Sequence, residues 1–420
     1  MLKKKNVFRS VRRSAIPVLC VAFSQLALAE SAAPITIYGF LNAELESVVA
    51  TGGATPYARR GRVSDGNSRL GFTSEIDLED GLKAIWQIEG GLNSYEQGGV
   101  NDAGSSTTLT SRNTFVGIQH DKLGRLIIGY YDSAYRSLVG SGGDLGGNQG
   151  LTTHGLDLWN NTNGELSGNS ATLFGRGEAR YKNSIHYLSP LMSGFQAAAS
   201  YGFDETQTNN LSQDRYAVGA KYSQGEFKAG VGYDHMANTG VDLDRLQQGF
   251  GFGTTNQPSS DVSFFRLTAS YTLPTQTYIG IGMESASYGY SLFTPPSGSS
   301  IYPTVQSGHM VQDAFMVSVA QDFKDRISLM LSYGKLGSLS NVTVGNPDDY
   351  KATQTSFGAT YKYGARTLFY INFTQIDNAS RQNVNLGVAP IYTNNLGTSS
   401  AYLAPGNSPR SYGIGLLLRF

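Results

Sequence analysis

Apolar side chains recur at every second position through much of the chain, separated by polar or small ones. In Phe227-Lys228-Ala229-Gly230-Val231-Gly232-Tyr233-Asp234 the odd positions are apolar and the even ones small or charged. Arg69 to Asp77 repeats this with opposite parity, and Leu82 to Glu89 does so less cleanly because Ile85 interrupts the polar face. A period of two belongs to a strand with unlike faces. Sixteen segments read as strands: 35–49, 67–77, 82–93, 112–121, 124–131, 180–189, 194–203, 214–224, 226–236, 262–273, 276–288, 311–323, 325–336, 352–363, 366–377 and 409–420.

The connections alternate in length. Seven are tight: Leu78-Glu79-Asp80-Gly81, Lys122-Leu123, Pro190 to Ser193, Gly225, Pro274-Thr275, Lys324 and Gly364-Ala365. The other eight are long and polar: 50–66, 94–111, 132–179, 204–213, 237–261, 289–310, 337–351 and 378–408. Short links at one end and long ones at the other describe an antiparallel next-neighbour meander. Both termini then fall at the short-turn end, where the first and last strands can pair. Closing such a sheet satisfies every backbone group and leaves no edge in lipid. Bacterial membrane barrels have even strand numbers, short periplasmic turns, long external loops and aromatic girdles. Tyr38, Tyr95, Tyr130, Tyr187, Tyr201, Tyr222, Tyr333 and Tyr361 all fall near strand ends. A water-soluble sandwich would bury bulky side chains between two sheets. Here the second face carries Gly, Ser, Thr and charge, as suits a wet lumen. In the last strand Tyr412, Ile414, Leu416, Leu418 and Phe420 share one face. The expectation is an all-β, 16-stranded antiparallel transmembrane β-barrel.

Composition agrees. Only 15% of the 420 residues are charged, against about a quarter in soluble proteins, and 11% aromatics argue against disorder. Residues 1–29 carry Lys3, Lys4, Lys5, Arg9, Arg12 and Arg13 and no acid. An apolar run from Ala15 to Leu28 follows and ends in Ala27-Leu28-Ala29, the pattern of a cleaved export signal. Cleavage after Ala29 leaves 26 basic and 32 acidic residues, a net of −6, in a single domain spanning 30–420. Nucleic acid is then not an expected partner, because its binders present a basic face. Cys20, the one cysteine, lies inside the signal, so no disulfide is expected. After the signal no run of 18 apolar residues offers a spanning helix.

Little points to catalysis. His120, His154, His186, His235 and His309 are scattered without metal-ligand spacing. Asp234 and His235 are adjacent, so on a strand their side chains point to opposite faces. No Gly-x-Ser-x-Gly elbow occurs in a strand-to-helix context. No catalytic residue, metal or cofactor is expected.

Several stretches resemble the Gram-negative general porins, trimeric diffusion channels of the outer membrane. They are Ile35-Thr36-Ile37-Tyr38-Gly39, Ser68-Arg69-Leu70-Gly71-Phe72, Asp80-Gly81-Leu82-Lys83-Ala84, Arg112-Asn113-Thr114-Phe115-Val116-Gly117, Arg180-Tyr181-Lys182-Asn183-Ser184-Ile185, Ser189-Pro190 with Gly194-Phe195, and Tyr412 to Phe420. Each is weak alone, but they stand in family order and at family spacing. A final Phe420 is also similar to the outer-membrane assembly signal.

The resemblance implies that the third external loop, residues 132–179, folds into the lumen and narrows it. Carboxylates on that loop then face a ladder of cations on the wall, the charged-ring principle of selectivity. Arg69, Arg112 and Arg180 match the ladder, with Lys182 and His186 sharing the face of Arg180, and Asp144 matches the Gly-Gly-Asp of the loop. By parity Leu70, Phe72 and Ile76 face lipid and leave Arg69 inward. A lipid-facing Arg at mid-depth would cost roughly 2–4 kcal/mol. Two departures stand out: Leu138-Val139-Gly140-Ser141 lacks an expected Glu, and Phe40 stands where some members carry a cation. Asp157 and Glu165 match nothing in the pattern. The constriction should therefore lean positive and prefer anions weakly. The implied function is passive diffusion of small hydrophilic solutes and ions. Implied partners are outer-membrane lipid, lipopolysaccharide and two further copies of the chain. The alternative is a substrate-selective porin for sugars or small organic acids, with Trp159 or Tyr135 as stacking surfaces and Trp86 facing lipid.

Overall fold

Eighteen strand segments hydrogen-bond into one sheet. Tyr57–Ser64 and Arg69–Asp77 run along successive stretches of the same neighbour and form one wall strand. The two-residue Val241–Asp242 pairs in parallel with residues 290–291 and lies outside the meander. Sixteen wall strands remain: β1 (Thr36–Thr51), β2 (the two segments above), β3 (Leu82–Gly91), β4 (Thr114–His120), β5 (Gly124–Asp132), β6 (Arg180–Leu188), β7 (Phe195–Gly202), β8 (Arg215–Gln224), β9 (Phe227–Met236), β10 (Val262–Thr272), β11 (Thr277–Ser291), β12 (Ser307–Phe323), β13 (Ile327–Leu336), β14 (Ala352–Lys362), β15 (Thr367–Asn378) and β16 (Ser408–Arg419). The computed structural model describes residues 33–92, 109–140, 177–205, 207, 211–239, 241–242, 261–291, 307–324, 326–340, 346–386, 391 and 403–420. The expected export signal, residues 1–29, lies outside them.

Each wall strand pairs antiparallel with the next, and β1 pairs with β16 from Phe40↔Arg419 to Thr51↔Ser408, which closes the cylinder. β13 shows why this sequence belongs in lipid. Its exposed positions are Ile327, Leu329, Leu331 and Tyr333, and its buried ones include Ser328 and Ser332. The apolar face is the outer one, the reverse of a soluble protein. Leu45 at 64% and Val116 at 63% exposure make the same point on β1 and β4.

Turn chemistry sets the short-link end. Gly225 and Gly364 take positive φ between paired strands with open space around them. Gln276 and Lys324 adopt the same left-handed conformation without being glycine, a cost accepted where a two-residue reversal must match strand twist.

Two features escape a period-of-two reading. Tyr57-Ala58-Arg59-Arg60-Gly61-Arg62 extends β2 beyond the apolar band, so its outward positions carry no apolar signal. The interior is also not uniformly polar. Val48, Ala50, Met316, Leu336 and Ile376 face inward and are covered by Val384, Leu386, Ile391 and Leu403 of the last long connection. Asn383 donates to the Leu403 carbonyl at 3.2 Å within that connection, and Asn407 donates to the Thr55 carbonyl at 2.8 Å, tying it to the first long connection.

Candidate channel constriction

The third long connection leaves β5 at Asp132 and turns at once into a short helix, α1 (Ala134–Val139). Ser133 caps it by accepting the Arg136 backbone N–H at 3.1 Å. Tyr135, Leu138 and Val139 pack against the inward face of the wall, including Ala217, Phe264 and Tyr288.

A chain of buried charges fixes the helix there. Arg266 on β10 is fully buried, with Nη1 2.5 Å from Glu178 and Nη2 2.5 Å from Glu284. Its Nη1 also donates to the Val139 carbonyl at 3.2 Å, just where α1 ends. Tyr135 donates to Glu284 at 2.7 Å, and burial holds its phenol well above the usual range, so it keeps that proton. Arg136 joins Asp132 (2.6 Å) to Glu178 (3.2 Å). Tyr135 is thereby occupied and completely buried, so it offers no stacking face to a solute. His186 is buried between the hydroxyls of Ser184 and Ser200, each at 2.8 Å, and Ser200 accepts the Ala134 N–H. It supports α1 and does not line open water.

Arg69, Arg112 and Arg180 come together beside α1. Arg69 lies within electrostatic reach of Arg112, Arg180, Glu89 and Asp132. Its guanidinium sits 4.7 Å from the ring of Phe40, and its Nε has no hydrogen-bond partner among the described residues. Arg112 precedes β4 by two residues and meets Glu89 at 2.5 Å. Arg180 lies 3.1 Å from Asp132 and donates to Asn113 at 3.0 Å. Glu89 is held from the other side by Tyr38, which donates at 2.9 Å and turns inward instead of joining an outer girdle. Gly71 makes this possible, because any Cβ there would collide with the Tyr38 ring. Behind the charges Ile85, Phe115 and Ile127 form an inward apolar cluster against Tyr131, which accounts for the break in the polar face at Ile85.

Lys182 does not join the arginines, contrary to the sequence expectation. The pairing of β5 with β6 shifts between Gly129 and Tyr131, and Asn183 takes φ +48°. Such a bulge re-aims the side chains on one side of it. Tyr181, which strict alternation from Arg180 would turn to lipid, is buried and donates to Asp234 at 2.5 Å. Lys182 alternates with it, is exposed, and sits 5.6 Å from the ring of Tyr130. Replacing Lys182 by Gln should leave the reversal potential in a KCl gradient unchanged within error; a clear loss of anion preference would return it to the pore. Asp144 and Trp159 lie outside the described residues. Trp86 alternates with Gln87 and Glu89 and stays on the outer side.

The sequence reading missed Glu89, Asp132, Glu178, Arg266 and Glu284. Each stands at a polar position of a strand or beside the third connection, a signal no motif match would raise. Asp234 pairs with Arg215 at 2.8 Å and His235 lies 3.6 Å from Asp261, so these neighbours form no dyad. Among the described residues no group of three or more His, Cys, Asp or Glu is placed to hold a metal.

The sequence model of the Gram-negative porin family matches residues 15–381. The chain belongs to that family. The porin is 24% identical over 350 residues to an outer membrane porin protein of Bordetella pertussis, covering 76% of this chain and 81% of that one. It is 25% identical over 224 residues to the major outer membrane protein P.IB of Neisseria gonorrhoeae, spanning 52% of this chain and 56% of its relative. In fold it matches the anion-selective porin from Comamonas acidovorans with a TM-score of 0.65 at 17% identity, over 92% of this chain and all of that one. Salmonella typhi OmpF superposes with a TM-score of 0.55 at 15% identity, covering 92% and 98%. The porin is thus an outer-membrane protein with a closed antiparallel barrel of sixteen strands, and a passive channel by family.

Proposed function

We propose that this porin passes small hydrophilic solutes and ions down their gradients, with a weak preference for anions and no catalytic step. The carrying observation is the cluster beside α1: Arg69, Arg112 and Arg180 against Glu89 and Asp132. Three guanidiniums and two carboxylates leave one net positive charge. In this reading Arg69 supplies it, because Glu89 engages Arg112 and Asp132 engages Arg180. The family pattern adds the Asp144 carboxylate, which would temper that excess. The name of the Comamonas acidovorans porin, anion-selective, points the same way.

The working unit is a homotrimer seated in outer-membrane lipid and lipopolysaccharide, after removal of residues 1–29. A Vibrio cholerae relative in fold, TM-score 0.57, is described as a trimer. Liposome swelling tests the diffusion reading: rates for neutral sugars should fall smoothly with size and rise linearly with concentration. Saturation by one sugar or small acid would instead favour the substrate-selective alternative.

A further inference from the structure

The short-turn end of the lumen holds a second site; it approaches the arginine cluster only at Arg419, which shares a register row with Phe40 and Arg69. A recess of about 630 Å³ opens there between the ends of β10 to β16. Its floor includes Met330, Leu368 and Leu417, inward side chains that are apolar where a water-filled pore would be served by Ser or Thr. Its rim carries Lys362, Arg366 and Arg419, exposed to water. Sheet register brings these cations onto adjacent strands. Lys362 lies opposite Leu368 across the β14–β15 pair, and the Arg419 N–H donates to the Arg366 carbonyl at 2.8 Å. None of the three forms an ion pair among the described residues. The carboxylate in the recess, Asp322, accepts a hydrogen bond from Ser328.

We propose that this recess docks small amphipathic organic anions, a carboxylate bearing a short alkyl or aryl group, at the periplasmic mouth. Three cations against the one carboxylate of Asp322 leave an excess of positive charge that favours an incoming anion, and guanidinium and ammonium groups make charge-assisted bonds to carboxylate oxygens. The apolar floor adds what a bare ion site lacks, a surface that rewards a hydrocarbon tail by up to about fourfold in affinity per methylene. Anions are thereby concentrated where they enter or leave the lumen. The inference rests on the chain forming an open pore, but the recess itself does not need current to be detected.

Hexanoate, acetate and inorganic phosphate, each added to the short-turn side of a planar bilayer carrying the porin in KCl, separate the possibilities. Hexanoate should reduce the current saturably and at much lower concentration than acetate, with phosphate the weakest. Replacing Lys362 and Arg366 together by Ser should raise the half-blocking hexanoate concentration about tenfold or more while the KCl conductance persists. Equal potency of hexanoate and acetate, phosphate matching hexanoate, or block surviving the double substitution would overturn the assignment. Calorimetric titration of the detergent-folded protein with hexanoate reads the same site without current. A conducting pore that releases no heat removes the recess, and a closed one that binds removes only the open-pore reading.

Discussion

Replacing Arg266 by Met should destabilise the barrel by about 3–5 kcal/mol, because it leaves buried carboxylates without their cation. Glu178 and Glu284 both lie 2.5 Å from that guanidinium, and the Val139 carbonyl accepts from it as well. One substitution thus strips charge compensation from the wall and removes the anchor at the C-terminal end of α1. The effect should be read in two ways. Folded mobility in a detergent gel should be lost at a lower temperature. Single-channel conductance should rise and become noisier as α1 leaves the wall. A variant in which Glu178 and Glu284 are also made Gln should recover most of the stability, since no uncompensated charge remains. Unchanged heat stability and unchanged conductance in Arg266→Met would show that the ion network is not what holds the third connection.

Reversing Arg69 to Glu should change the sign of ion preference. The cluster would pass from three cations facing two carboxylates to two facing three. A unit charge about 4 Å from a passing ion contributes about 1 kcal/mol in water and about 4 kcal/mol at a partly screened dielectric. Even the lower figure shifts a permeability ratio by about fivefold per unit charge. The reversal potential in a KCl gradient should therefore cross zero in Arg69→Glu and keep its wild-type sign in Arg69→Lys. An unaltered potential in Arg69→Glu would remove that arginine from the constriction.

The wall was largely legible in the sequence because its physics is local. Lipid demands apolar side chains at alternate positions, as in Ile327, Leu329 and Leu331, and each short turn carries its own signal, as at Gly225 and Gly364. What lay hidden was everything that depends on a partner far along the chain. Lys182 reads inward by counting from Arg180, but the shift near Asn183 reverses its side, and nothing in Tyr181-Lys182-Asn183 announces a bulge. Val48, Met316 and Ile376 break the polar inner face because a loop from the last connection covers them, a contact spanning much of the chain. Arg266 looks like any charge on a strand until Glu178 and Glu284 are seen beside it. The three matched arginines do converge, but as members of a network with Glu89 and Asp132, not as an isolated ladder.

The most direct test is single-channel recording of the purified, folded protein in planar bilayers over a range of KCl concentrations. A closed barrel with a watered lumen predicts discrete ohmic steps whose size grows in near proportion to salt. Protein that is folded by its gel mobility, enters the bilayer and yet passes no current at any salt concentration would contradict it.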